Sequence, residues 1–125
     1  MLNMKTLGSM RLLWSAGPAT AKSNVCAYNC AYVAPSKWQD FAEIMYVLMC
    51  GTGMGFSVEH QTVELLPIIK RQTGEKLPRF IIPDSREGWS DALAHGLETW
   101  SSGKDVEFDY SQVRPQGARL KTMGG

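Results

Sequence analysis

An α/β fold is what this chain of 125 residues predicts. Three observations carry the prediction. Short apolar runs alternate with helical patterns, two segments carry clear helix-start signals, and Gly and Pro punctuate the joins. Crossover helices between parallel strands fit a sheet or barrel buried on both faces. The length allows one small domain, residues 1–125, and not two.

Taken in order, residues 11–14 form a short apolar-rich run closed by Ala16-Gly17-Pro18, which reads as a buried strand ending in a turn. Residues 26–33 read as the next strand, and Pro35 stops it. Ser36 is then the expected cap of a helix, with Gln39 three residues later as in a capping box. Apolar residues from Trp38 to Met49 cover more than one face of that helix, the pattern of a buried one. Gly51, Gly53 and Gly55 are expected to end it, and residues 56–58 to begin a strand. Pro67 breaks residues 62–71, so a broken or extended segment is expected there. Residues 79–82 read as a short strand closed by Pro83.

The second helix has the clearest signals. Asp84 is its expected cap, with Glu87 at the third position. Trp89, Ala92, Leu93, Gly96, Leu97 and Trp100 follow at helical spacing, and Gly103 sits where a C-terminal cap belongs. Residues 106–110 alternate, which predicts a half-buried strand with Val106, Phe108 and Tyr110 on one face. From Ser111 onward the sequence is loop-like, and poor order is expected there.

A net charge of +1 gives no case for nucleic-acid or membrane binding. The charge is unevenly spread: residues 80–110 carry seven acids against Arg86 and Lys104, whereas 111–125 carry Arg114, Arg119 and Lys121 and no acid. That basic tail suits either an anion or solvent. The odd cysteine count and the lack of a signal-peptide pattern point to a reducing cytoplasm. The most apolar window, 41–49, is too short to span a bilayer.

Candidate chemistry is sparse. G-T-G-M-G follows a helix instead of opening one, the wrong order for a dinucleotide turn. It serves either as a helix end with close packing or as bare backbone for a substrate. Cys26 and Cys30, with His60 and His95 far off, lack the spacing of a zinc site, so no metal is expected. If both cysteines lie on one strand, their Cα atoms are about 13 Å apart, beyond disulfide reach. His95 reads as an ordinary helix residue, and Cys50 as core.

Five ordered blocks add more. S-M-R-L-L-W-S-A-G, Y-N-C-A-Y-V-A-P, M-C-G-T-G-M-G-F-S-V-E, P-D-S-R-E-G-W and V-R-P-Q-G-A-R-L-K-T-M-G-G resemble consecutive blocks of the adenosylcobalamin-dependent (class II) ribonucleotide reductases. The resemblance runs from about Ser9 onward. It implies an incomplete fragment of a ten-stranded α/β barrel, from an enzyme that reduces ribonucleotides to deoxyribonucleotides by thiyl-radical chemistry for DNA synthesis. It implies that Cys30 is one redox cysteine, with its partner outside this chain. It implies that Asn29, Cys30, Gly53 and Met10 contact the ribonucleotide substrate. The family usually carries Thr or Ser near Met10, so a contact there would run through backbone. It implies that Arg114, Gln116, Arg119 and Lys121 belong to the loop that relays a dNTP allosteric effector to the substrate site.

The implied partners are a thioredoxin-like dithiol donor and the remainder of the reductase polypeptide, which would bind most of the adenosylcobalamin. The radical cysteine, the second redox cysteine, the proton-managing Glu and Asn and the C-terminal cysteine pair of the family have no match in these residues. The chain thus looks like an N-terminal piece, inactive alone. The alternative is a decayed or non-catalytic nucleotide-binding fragment.

Overall fold

The computed structural model of the chain describes residues 8–119. Its elements are α1 (Met10–Ser15), α2 (Pro18–Lys22), a 3-10 turn (Asn24–Ala27), β1 (Cys30–Val33), α3 (Trp38–Met49), β2 (Gly53–Phe56), α4 (His60–Val63), β3 (Phe80–Ile81), α5 (Arg86–Ser101) and β4 (Phe108–Asp109). The α/β alternation is present, with parallel pairing. β1 pairs with β2 in the register Cys30↔Gly53 to Val33↔Phe56, and α3 is the connection between them. β3 pairs with β4 in the register Phe80↔Phe108, Ile81↔Asp109, and α5 connects those. A parallel pair cannot be closed by a tight turn, so each needs a crossover of this kind.

The two pairs form separate two-stranded sheets, and a barrel is not seen among the described residues. The units are joined through their helices. α3 and α5 pack together, and the Ser90 hydroxyl donates to the Ala42 carbonyl at 2.7 Å. Ala42 and Ile44 of α3 and Ser90, Ala92, Ala94 and Gly96 of α5 are buried. Small side chains let the helices approach closely, and Gly96 serves the packing of α5 on β4, where a Cβ would press on the Phe108 ring, and on that of Trp100, at 3.1 Å.

Several boundaries differ from the sequence expectation, each for a physical reason. Residues 11–14 are helical, within α1; Ser9 caps it by accepting the Leu12 N–H at 3.2 Å. A four-residue apolar run carries no periodicity to separate strand from helix, and here Leu12, Leu13 and Trp14 are exposed, not buried. Cys26 lies in the 3-10 turn, so the strand expected over 26–33 begins only at Cys30 and the 13 Å separation does not apply. β2 starts at Gly53, ahead of the strand expected at 56–58. Gly53 and Gly55 are strand residues, and only Gly51, at φ 83°, turns the chain.

Both helix caps shift by one residue. The N-cap of α3 is Lys37, not Ser36, and Asp40 rather than Gln39 closes the turn by accepting the N–H groups of Ser36 (2.7 Å) and Lys37 (3.1 Å). The N-cap of α5 is Ser85, not Asp84: its hydroxyl accepts the Gly88 N–H at 2.9 Å. α3 is buried less completely than its composition suggests, with Leu48 exposed. The broken segment around Pro67 is as expected, α4 stopping at Val63. Gly103 takes φ 87° just past α5, the position expected of it. β4 is two residues long where five were expected; Val106 is buried and Phe108 half-buried on the expected face, but Tyr110 is exposed.

Candidate active site

The sequence candidates divide into two groups in space. Asn29, Cys30 and Gly53 come together because β1 and β2 are parallel and in register, which sets Cys30 beside Gly53. The Gly53 N–H donates to the Asn29 carbonyl at 2.9 Å. A Cβ added at Gly53 would lie 3.6 Å from that carbonyl oxygen and 4.0 Å from the Cys30 Cβ. Those are ordinary contact distances, so no clash demands glycine here. Its absent side chain leaves bare peptide next to a thiol.

Of the three free cysteines, Cys30 is exposed, whereas Cys26 and Cys50 are buried. Cys50 is not plain apolar core: its sulfur accepts a hydrogen bond from Arg86 Nη1 at 3.0 Å, and that guanidinium also stands 5.8 Å from the centre of the Tyr46 ring. Burial raises the Tyr46 phenol above its usual range, and the neighbouring Cys50 and Glu87 act in the same direction. Cys30 is therefore the one thiol of the three that an outside molecule reaches without unfolding.

Two side chains hold the β1–β2 corner, and neither was singled out from sequence. Arg11 donates from Nε to the Cys26 carbonyl at 3.0 Å and from Nη2 to the Gly51 carbonyl at 2.6 Å. One guanidinium thus joins α1 to the turns that precede both strands. Thr52, 1% exposed, directs its hydroxyl to the carbonyls of Val25 (3.1 Å) and Tyr28 (2.9 Å). A lone cation inside the apolar run M-R-L-L-W was the available signal for Arg11. Thr52 offered none beyond its place between two glycines. Met10 stands next to Arg11 on α1 and is 86% exposed, so it flanks this corner without packing into it.

The second group lies at the other unit. Arg114 forms an ion pair with Asp84, Nε to Oδ1 at 2.9 Å. Gln116 and Arg119 are exposed on the same loop, and Lys121 lies outside the described residues. Among the described residues, no hydrogen bond joins residues 114–119 to Asn29, Cys30 or Gly53. The loop is better tied than its composition suggests. The Ser111 N–H donates to the Asp109 carboxylate at 2.9 Å, and the Ser111 side chain foremost, then that N–H, holds the carboxyl below its usual range. Val113 and Ala118 N–H groups close turns onto Tyr110 and Pro115.

Two cavities are described. One, about 170 Å³, is apolar and lies between α3, α5 and β4, with Met45, Ile82, Trp89 and Phe108 among its walls. The other, about 330 Å³, lies along α3 and α5 and carries Glu43, Glu87 and Asp91. Drug-sized ligands already fill roughly 300–1,000 Å³. Neither cavity fits a corrinoid, which is larger than such ligands. Among the described residues no group of three or more His, Cys, Asp or Glu side chains is placed to hold a metal ion, and no helix is long and apolar enough to cross a membrane.

Comparison with known proteins adds relatives. The chain is 34% identical to an adenosylcobalamin-dependent ribonucleoside-triphosphate reductase of Euglena gracilis, over 98% of this chain and 18% of that protein. It is 31% identical to a Dictyostelium discoideum protein named "probable adenosylcobalamin-dependent ribonucleoside-triphosphate reductase", over 98% of this chain and 19% of that one. A reductase of the same name from Lacticaseibacillus paracasei is 26% identical over 94% of this chain and 24% of its own length. The chain spans about a fifth of the length of these relatives. The aligned stretches, 131 and 149 residues in the first two, exceed the 125 residues of the chain, so the relatives carry residues that it lacks within the matched region. No protein-family model and no solved structure matches it.

Proposed function

We propose, from the homology of nearly the whole chain to adenosylcobalamin-dependent ribonucleotide reductases, that it forms part of such an enzyme and supplies one of its reducing thiols. The observation that carries this reading is the exposed Cys30 in register with Gly53. Replacing a ribose hydroxyl by hydrogen takes two electrons and two protons. Two thiols supply them: the hydroxyl leaves as water, and the thiols end as a disulfide. Cys30 is one of the two, and its partner comes from polypeptide outside these residues, since Cys26 and Cys50 are both buried. A dithiol donor then returns the disulfide to thiols.

Adenosylcobalamin supplies the radical chemistry when it is bound by the assembled enzyme. The described cavities do not fit it, so this chain's own share is narrower. β1 carries the thiol, the bare peptide of Gly53 lets a sugar approach it, and Asn29 stands next to both. Arg11 and Thr52 hold that backbone in place through four carbonyl contacts. The ribonucleotide is the substrate, and a dNTP effector acts through the loop that carries Arg114, Gln116, Arg119 and Lys121.

The test is an anaerobic assay for deoxyribonucleotide formation with adenosylcobalamin and a dithiol. The 125-residue chain alone is expected to give no product, and the chain joined with the polypeptide that completes its relatives is expected to turn over repeatedly. In that complex Cys30→Ser should abolish multiple turnover, while Cys50→Ser should alter stability first. Unchanged turnover in Cys30→Ser would refute the assignment of the thiol. Product from the chain alone would refute the partial-enzyme reading.

A further inference from the structure

We infer that Asp84 is the positioning residue of the loop 111–119, and that Arg114 is the loop's anchor and not one of its ligand contacts. The inference rests on the proposed role of this loop for its functional meaning, but its structural content stands on separate observations. Asp84 is free for the task because Ser85, not Asp84, caps α5. Its carboxylate accepts from Arg114 Nε at 2.9 Å, with side-chain exposures of 16% and 30%. Every other ion pair described has at least one partner more than half exposed. A sheltered pair is screened less by solvent and salt than an exposed one, and losing one partner leaves the other charge uncompensated.

Arg114 is enclosed as well as paired. Its Nη1 is buried, without a hydrogen-bond partner among the described residues. A guanidinium with one nitrogen in an ion pair and another enclosed by protein is poorly placed to leave for a diffusible ligand. Gln116 and Arg119 differ: both are exposed, and Gly117 at φ 84° turns the chain between them. An anionic nucleotide would therefore meet Gln116 and Arg119, on a loop whose base is pinned to the start of α5 by Asp84.

Amide exchange on the 125-residue chain tests this. Asp84→Asn and Arg114→Gln are each expected to speed exchange at Val113 and Ala118 about fivefold or more, the effect of losing a contact of this class. The double variant should do no more than either single one, because both remove the same pair. Ser85→Ala, which removes the cap, should fray the start of α5 without matching that effect in the loop. Unchanged exchange at Val113 and Ala118 in both single variants, or additive effects in the double one, overturns the anchor. Where Asp84→Asn fails to fold, Arg114→Gln and the reversed pair Asp84→Arg/Arg114→Asp decide the matter, restored protection in the latter being the expected result and unrestored protection the contrary one. In the assembled enzyme, a loosened loop with an intact dNTP response would sustain the anchor and overturn instead the role given to the loop.

Discussion

Gly53 stands in register with the exposed Cys30. Its backbone is not in the left-handed region, and a Cβ there would sit at ordinary distances from Asn29 and Cys30. Gly53→Ala should therefore leave the fold within about 1 kcal/mol of the parent, with a slight gain from lost chain freedom in the unfolded state. If the proposed function holds, the added methyl group should narrow the approach to Cys30, and KM for the ribonucleotide in the assembled enzyme should rise on the order of tenfold. Gly103 is the control. It has φ 87°, and a Cβ there would collide with the Arg71 carbonyl oxygen, so Gly103→Ala should cost about 1–3 kcal/mol. Urea unfolding of both variants, set beside steady-state kinetics of the first, separates the roles. Equal destabilisation would show Gly53 to be a structural glycine.

At the scale of elements, the start of α3 depends on one carboxylate. The Ser36 N–H foremost, then the Lys37 N–H and charge, hold the Asp40 carboxyl below its usual range. A lowered folded value means that the stabilisation is fully present above the unfolded Asp range, about 3.9, and is lost as pH falls through the folded value. Asp40→Asn should cost about 1 kcal/mol at pH 7, and the gap to the parent should close from about pH 4 downward. Unfolding curves across that range check it, and a gap that stays constant with pH would assign the effect to packing. The same residue shows what sequence reading reaches. The helix was legible from its apolar pattern, yet its cap was not, because Ser36 with Gln39 spells a capping box whereas Lys37, the residue at the cap, is not a usual capping residue. α5 was legible for the same reason, and its cap was missed because Asp84 and Ser85 are both good capping residues one position apart. β2 was hidden because two of its four residues are glycines, which carry no side chain to alternate. α1 was misread because its apolar residues face solvent. Cys30 and Gly53 became neighbours only through the parallel register, which no local pattern announces, whereas the resemblance paired them by role. Arg11 and Thr52 act through carbonyls that any residue type could present, so the sequence marked no partner for either, and only the lone cation in M-R-L-L-W set Arg11 apart.

For the molecule as a whole, much apolar surface is uncovered. Val58, Leu65, Ile68 and Ile69 are exposed, Ile68 at 89%, and the apolar cavity beside α5 opens near the edge of a two-stranded sheet. Uncovered edges and patches of this kind invite association. The purified chain should scatter light and bind an apolar dye at micromolar concentration, and both signals should fall when the completing polypeptide is added. A monomer that ignores the dye would show that the surface is not available. The helix-to-helix join carries a different consequence. Cys30 meets Gly53 23 residues on, and Phe80 meets Phe108 28 residues on, while the Ser90–Ala42 hydrogen bond links residues 48 apart. Shorter loops close at lower entropic cost. Each strand–helix–strand unit thus closes at a slightly lower entropic cost than the join, by about 0.6 kcal/mol for a doubled loop. The join between them is then expected to be the last contact to form and the first to open, with faster amide exchange at the α3–α5 contact than in β1–β2 as the check.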